Sequence, residues 1–298
     1  MDFYCNNQVL FCILSVHLSK IKTNPYFRLM SNQTATSRAE MPKAANPVLD
    51  RRTVENANRN LLKHLKPGLS VLDVGCGSGA ITRGMAERVG PQGHVVGIDP
   101  SETLIVQARQ QAGNFPQLTF QTADVYDFET DEQFDLVTCA RVLQWLARPE
   151  EALARMAKWV KSGGVLAVLD YNHEKVEWTP EPPETLTKFY GAFLKWRQEA
   201  GFDNAIADHL KDQFLRIGFE KITIEPQFEI SKKEDATFVE TSRIWSEVAH
   251  LRGPQLVRDG YISEEDRTVA IEDYDRWIAT TGESMQLYLL AVEGQKNA

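Results

Sequence analysis

Short apolar runs alternate with amphipathic stretches over the middle of this chain. Ser70–Val74, His94–Ile98, Leu118–Thr122, Phe134–Cys139 and Val165–Leu169 are rich in β-branched and aromatic residues. Turn residues bound them, so they read as buried strands. The stretches between carry a helical period. Ile81, Met85 and Val89 fall on one face of a helix expected over 78–89. Leu104, Ile105 and Ala108 fall on another, with Ser101 as its cap. Leu153, Met156, Ala157 and Val160 mark a helix over Pro149–Lys161, stopped by Gly163. Ahead of the first strand, Val54, Ala57, Leu61, Leu62 and Leu65 predict a helix over Asp50–Leu65, capped by Asp50. Strands that alternate with helices pair in parallel with helices on both faces, so the fold class is α/β.

The regularity breaks after Asp170. Three prolines lie within 177–184. Helices are expected over Thr185–Ala200 and Ala205–Ile217, a sixth strand over Lys221–Ile230 and a seventh over Met285–Val292. The residues between the last two strands are too many for a hairpin loop. Thr237–Ala249 and Glu264–Ile278 read as helices there. Residues 48–298 are thus expected to form one domain, with helical insertions at about 172–203 and 235–282 serving as a lid.

Candidate chemistry centres on VLDVGCGSG at 71–79, an apolar strand that runs through Asp73 into Gly75, Gly77 and Gly79. Glycine there permits positive φ and lets a ligand lie against the main chain. The following helix offers free N–H groups to the turn. Gly75, Gly77 and Ala80 also satisfy the relaxed dinucleotide fingerprint, which keeps a nicotinamide-dependent oxidoreductase open as an alternative.

Later segments extend the pattern: VVGIDPS at 95–101, TAD at 122–124, FDLVTCARVLQWL at 134–146 and SGGVLAVLD at 162–170. Taken in order, the set resembles class I S-adenosylmethionine-dependent methyltransferases, in particular the small-molecule branch with the trans-aconitate and quinone-biosynthesis enzymes. The likeness is dense over residues 50–170, and GESMQLYLLAVEG resembles the family's antiparallel final strand. It implies a seven-stranded Rossmann-like sheet and S-adenosylmethionine as cofactor. By resemblance Asp73 orients the cofactor's ammonium beside Gly75, Cys76, Gly77 and Gly79. Asp99 grips the ribose hydroxyls next to Pro100 and Ser101, while Asp124 and the Val125 N–H receive the adenine. Arg141, Gln144 and Trp145 lie toward the sulfonium, and Arg51 or Arg52 is placed to reach the carboxylate. Tyr171 and Trp196 join Gln144 and Trp145 as candidates for the methyl acceptor. No catalytic residue is assigned; Asp170, Tyr171 and His173 follow strand five, and His173 suits a general base best by its ordinary pKa. The D/N-P-P-Y/F signature of nucleic-acid base N-methylation is missing, and CARV at 139–142 stands in its place. A third reading is a non-catalytic protein that retains cofactor binding.

Net charge changes the picture only by exclusion. At −8, a broad nucleic-acid footprint is not expected. The four cysteines, Cys5, Cys12, Cys76 and Cys139, form no C-x-x-C pair, so no metal is expected and reduced thiols in the cytoplasm are the natural reading. Val9–Leu18 is too short to span a bilayer, and no integral membrane segment is expected. Residues 1–29 fit poorly with the remainder of the chain. Synthesis is expected to start at Met30, with a membrane anchor as the competing reading, and 31–47 form a flexible lead-in. A small-molecule acceptor and a monomer or homodimer complete the expectations.

Overall fold

The computed structural model describes residues 35–40 and 50–297; the expectations for residues 1–29 lie outside these. Five strands, β1 (Ser70–Val74), β2 (His94–Asp99), β3 (Leu118–Thr122), β4 (Phe134–Ala140) and β5 (Val160–Thr179), pair in parallel in the order β3-β2-β1-β4-β5. Helices α2 (Ala80–Val89), α3 (Glu102–Gln110) and α4 (Pro149–Trp159) connect them, after a short α1 (Val54–Ala57) and a 3-10 turn (Arg59–Lys63). Then come α5 (Glu184–Glu199), α6 (Ile206–Arg216), β6 (Lys221–Pro226) and β7 (Glu229–Lys232). The insert holds α7 (Phe238–Ser242), α8 (Ile244–Leu251), α9 (Gly253–Arg258) and α10 (Glu264–Thr280), and β8 (Ser284–Gln295) closes the sheet. β8 runs antiparallel to both β5 and β6.

Alternation along the strands decides which side each residue serves. Leu72, Val74, Val96, Ile98 and Val137 face α4 and α6; Val71, Val95, Leu136 and Ala167 face α2, α3 and the 3-10 turn. Beyond the edge of this double layer lies a third core. There α5 and α8–α10 pack Phe189, Phe193, Trp196, Trp245, Tyr274 and Trp277 onto Leu169, Leu287 and Leu289 of β5 and β8.

Four sequence expectations change. The sheet has eight strands rather than seven, because the segment 221–230 breaks at Gln227–Phe228 into β6 and β7, both on β8. β5 begins at Val160 and continues to Thr179, since residues 170–172 and 177–179 pair with β8, on either side of an irregularity, instead of looping out. The helix predicted over Asp50–Leu65 breaks at Asn58, whose backbone leaves the helical region (φ −150°, ψ 42°) and ends α1. Thr53 caps α1, taking the Asn56 N–H, while Asp50 receives a bond from Gln107. The helix predicted over 237–249 is divided at Arg243.

Part of the expected flexible lead-in is also docked. Residues 35–39 are helical, and Ala35 packs with Ala200 and Phe202. Arg38 stacks on Trp196 and Tyr261, at 5.0 and 5.2 Å, and pairs with Asp259. Arg252 donates to the Arg38 carbonyl at 3.0 Å.

The turn after β1 depends on backbone that only glycine adopts easily. Gly75, Gly77 and Gly79 have φ of 76°, 56° and 75°. A Cβ on Gly79 would also meet Phe120 Cζ at 2.5 Å and Ala108 Cβ at 3.1 Å. We predict that Gly79→Ala lowers the free energy of unfolding by about 2–4 kcal/mol, from left-handed strain plus the forced shift of Phe120. Urea unfolding of the variant beside the native protein checks this.

Candidate functional site

Parallel pairing brings the ends of β1, β2 and β4 to one rim, and the cleft opens there. Arg52, Asn58, Asp73, Cys76, Ser78 and Ala140 are among the residues that line it, together with Gly75 and Gly77. Asp73 is buried and accepts a bond from Thr82 Oγ at 2.6 Å. Burial, reinforced by the nearby Asp99, pushes its carboxyl up to about 6. Asp99 accepts the Gly77 N–H at 3.0 Å through one oxygen and the Ser101 N–H at 2.9 Å through the other. Its own pKa is raised by burial, against those two bonds. Each oxygen keeps a second lone pair for a ligand.

The loop's other amides are turned inward. Gly75 and Cys76 N–H both donate to the Ile98 carbonyl, at 2.7 and 3.0 Å, and Gly79 N–H donates to the Cys76 carbonyl. With Gly77 on Asp99, four amides of the turn are already engaged. Two acids stand beside them. A pyrophosphate would meet repulsion and few free donors, so the cleft is poorly made for a dinucleotide. Cys76 sits between Asp73 and Asp99, and burial together with those charges holds its thiol neutral.

The opposite wall comes from residues 52–58. Arg51 points away and pairs with Glu240 and Glu247. Arg52 is the one of the two turned to the cleft. It makes no ion pair among the described residues, and burial and the neighbouring Arg141 lower its pKa. Asn58 is 1% exposed, and both its amide oxygen and nitrogen lack a partner among the described residues. Ser78 Oγ, also buried, lacks one as well. These orphaned atoms face a cation, Arg52, and an acid, Asp73, across one cleft. A zwitterionic amino-acid group supplies the complement: a carboxylate for Arg52 and an ammonium for Asp73. The residues present therefore fit the tail of S-adenosylmethionine.

Other expected positions are occupied differently. Asp124 is half-buried, and its carboxylate caps its own turn by accepting the Tyr126 N–H at 2.9 Å. Val125 is buried, and its carbonyl accepts Arg155. Pro100 is exposed beside Ser101, the cap of α3. Arg141, at φ 61°, is not among the lining residues of the cleft. Its guanidinium spans the Ala57 carbonyl (2.8 Å), the Tyr171 hydroxyl (3.0 Å) and Glu229. It braces the 52–58 wall rather than facing the turn. Tyr171 is thereby a member of this brace. Trp196 is fully buried, and its indole N–H goes to Asp259 at 2.8 Å. It serves the docking of residues 35–40. Trp145 is stacked by Arg197 and Arg252 at 4.4 and 4.6 Å. Gln144 is buried and bonded to His173 at 2.6 Å. His173, instead of lying in a loop, is 7% exposed within β5. Burial first and Arg197 second lower its pKa well below the usual histidine range.

Reasoning from sequence missed Asn58, Ser78 and Thr82. Ser78 and Thr82 sit within and just after the glycine turn, where a hydroxyl is a legible signal. Nothing in the helical pattern of 50–65 marks Asn58.

A family model described as a methyltransferase domain matches residues 65–233, more than half of the chain. A trans-aconitate 2-methyltransferase of Variovorax paradoxus is 32% identical over 180 residues, 58% of this chain and 64% of that protein. Another, from Deinococcus radiodurans, is 37% identical over 110 residues, covering 37% of this chain and 41% of its own length. The chain thus spans less than two thirds of each of these relatives. Among solved structures, phosphoethanolamine N-methyltransferase 2 of Haemonchus contortus, bound to phosphomonomethylethanolamine and S-adenosylhomocysteine, superposes with a TM-score of 0.52 at 18% identity. That match covers 81% of this chain and 52% of that one.

The raised Asp73 pKa has a stability consequence with a definite sign. The folded state holds this proton up to about pH 6, while the unfolded chain releases it near 4. Stability from this group is therefore present below about pH 4 and lost as pH rises to 6. Asp73→Asn should gain stability relative to the native protein across that window, by up to about 3 kcal/mol at pH 7. Chemical denaturation of both proteins from pH 4 to 8 tests it, and a flat difference would contradict the assignment.

Proposed function

The chain belongs to the methyltransferase-domain family, and on that premise we propose that it transfers a methyl group from S-adenosylmethionine to a small-molecule acceptor. The observation that carries the reading is the cleft: around the glycine turn stand a buried Asp73 and, without a partner among the described residues, the Arg52 cation and the Asn58 and Ser78 side chains. When bound, the cofactor supplies an activated methyl on a positive sulfonium. The chain's own part is to hold and align. Arg52 binds the tail's carboxylate and Asp73 its ammonium, with Asn58 and Ser78 completing the hydrogen bonds. Asp99 accepts from the ribose diol on lone pairs its backbone bonds leave free. Asp124 and the Val125 N–H stand at the adenine end. Alignment and exclusion of water provide most of what an in-line displacement needs.

A nicotinamide cofactor is disfavoured by the inward-turned amides and the two acids. No helix among the described residues is long and apolar enough to cross a membrane. Among the described residues Cys76 and Cys139 form no disulfide; we place the protein in the cytoplasm.

Calorimetric titration with S-adenosylhomocysteine should give saturable binding, with NADH giving none. Asp99→Ala should weaken that binding about 10- to 100-fold and Arg52→Ala about 10-fold, as expected for charge-assisted hydrogen bonds. Unchanged affinity in folded variants would remove these residues from the site, and binding of NADH alone would overturn the reading.

A further inference from the structure

The two edges of the sheet are finished differently. On β3, the Gln117 carbonyl and the Ala123 N–H bond to β2, which leaves the Phe120 carbonyl turned outward. Arg109 covers it, donating from Nε and Nη2 at 3.1 and 2.8 Å. A side chain thus blunts that edge. At the other end of the order, β6 is paired on one side only, with β8. Among the described residues nothing bonds its outer backbone.

One bond fixes which way each group on β6 points. The Gln227 N–H donates to the Leu289 carbonyl of β8 at 3.0 Å. In an antiparallel ladder, residues two apart point the same way, so Glu225, Thr223 and Lys221 also turn their backbone groups to β8. Ile222 and Ile224 turn theirs outward. Pro226 comes next in the outward series, where its missing N–H costs no bond within the sheet. The side chains alternate as well. Ile222 packs on the core beneath α6, and Ile224, on the same face, is exposed. Leu215 of α6 is exposed on that side too. Lys221, Thr223 and Glu225 share the opposite face. Glu225 meets the half-exposed Lys63 at 2.9 Å, and Lys221 makes no ion pair among the described residues.

The segment KITIE at 221–225 is its own complement when read antiparallel. Centred on Thr223, Ile222 lies opposite the second copy's Ile224, and Lys221 opposite the second copy's Glu225. Both residues of each isoleucine pair point outward, so each pair exchanges two backbone bonds. The two exposed isoleucines are covered, and opposite charges face one another at both ends. Neighbouring registers lose this match. Centred on Ile224, Ile222 meets Pro226, which donates nothing. Centred on Ile222, Lys221 meets Thr223 and Glu225 meets Phe219. We propose that β6 is a homodimer interface, in which two copies pair antiparallel through Lys221–Glu225 about a two-fold axis at Thr223. The two eight-stranded sheets then join edge to edge. This interface is independent of the methyl-transfer reading.

The test is sedimentation equilibrium of the full chain at concentrations from about 1 to 100 µM. The native protein should be a reversible dimer with a dissociation constant in the micromolar range, since one strand pair buries a modest area. Ile224→Lys changes an exposed side chain, so the variant should fold and remain monomeric. Lys221→Glu and Glu225→Lys should each weaken self-association about 10-fold, because like charges then stand opposite at both ends. Mixed in equal amounts, these two variants should associate as tightly as the native protein, the acidic strand of one meeting the basic strand of the other. A native chain that stays monomeric throughout would overturn the proposal. So would a dimer that survives Ile224→Lys, or charge variants that fail to recover on mixing.

Discussion

The Asp99 carboxylate ties two adjacent connections together. One oxygen holds the middle of the turn after β1, through Gly77, and the other holds the start of α3, through Ser101. Just before it, the Ile98 carbonyl receives two further amides of the same turn. The end of β2 is therefore a template on which the neighbouring turn is shaped. Left-handed glycines make the turn possible, and these bonds make it single-valued. The polarity of the cleft is a result. With three of its amides spent on β2 and a fourth inside the turn, the loop presents carboxylates and bare Cα surface to a ligand, the reverse of a phosphate-binding turn.

Charge is buried throughout this half of the molecule, and its partners differ in kind. Arg141 is fully engaged by Tyr171, Glu229 and the Ala57 carbonyl, which makes it structural. Arg197 has two neutral acceptors and an idle nitrogen, and burial lowers its pKa to about 9. Two buried arginines of the same type thus have opposite standing. One has consumed its bonding capacity in the fold and the other retains some. Attraction from the buried Asp170 offsets part of what it costs to keep Arg197 charged there.

The central sheet was legible because its information is local. Each of β1–β4 is a short apolar run with turn residues at both ends, and Ser101 caps α3 as its hydroxyl and spacing suggest. Asp73, Asp99 and the glycines could be placed for the same reason. What escaped depended on distant partners. His173 reads as a loop residue until β8, more than a hundred residues later, pairs with residues 170–172 and 177–179 on either side of it, and the Asn204 carbonyl takes its N–H. Arg141 meets Glu229 across 88 residues. Asn58 breaks a pattern that is otherwise a good helix. Arg59 and Asn60 beyond it bond to Gln227 and Glu293, and those tertiary bonds accompany a 3-10 turn where helical period alone favours continuation. Trp196 looked like a pocket aromatic, and no local signal tells that Arg38 would cover it.

Glu293 shows what such distant bonding costs in time. This one carboxylate holds Asn60, Lys63 and His64, the residues that come directly after the Arg52–Asn58 wall. It belongs to the last strand of the sheet, while the wall it secures is encoded near the start of the domain. During synthesis the apolar residues of the early segment, Val54, Leu61 and Leu65, can pack on β1, β2 and α2 as soon as these form, but their polar neighbours lack this carboxylate until β8 has emerged from the ribosome. The last fastening of the segment is thus made at the end of synthesis, on a residue 233 positions further along the chain than Asn60.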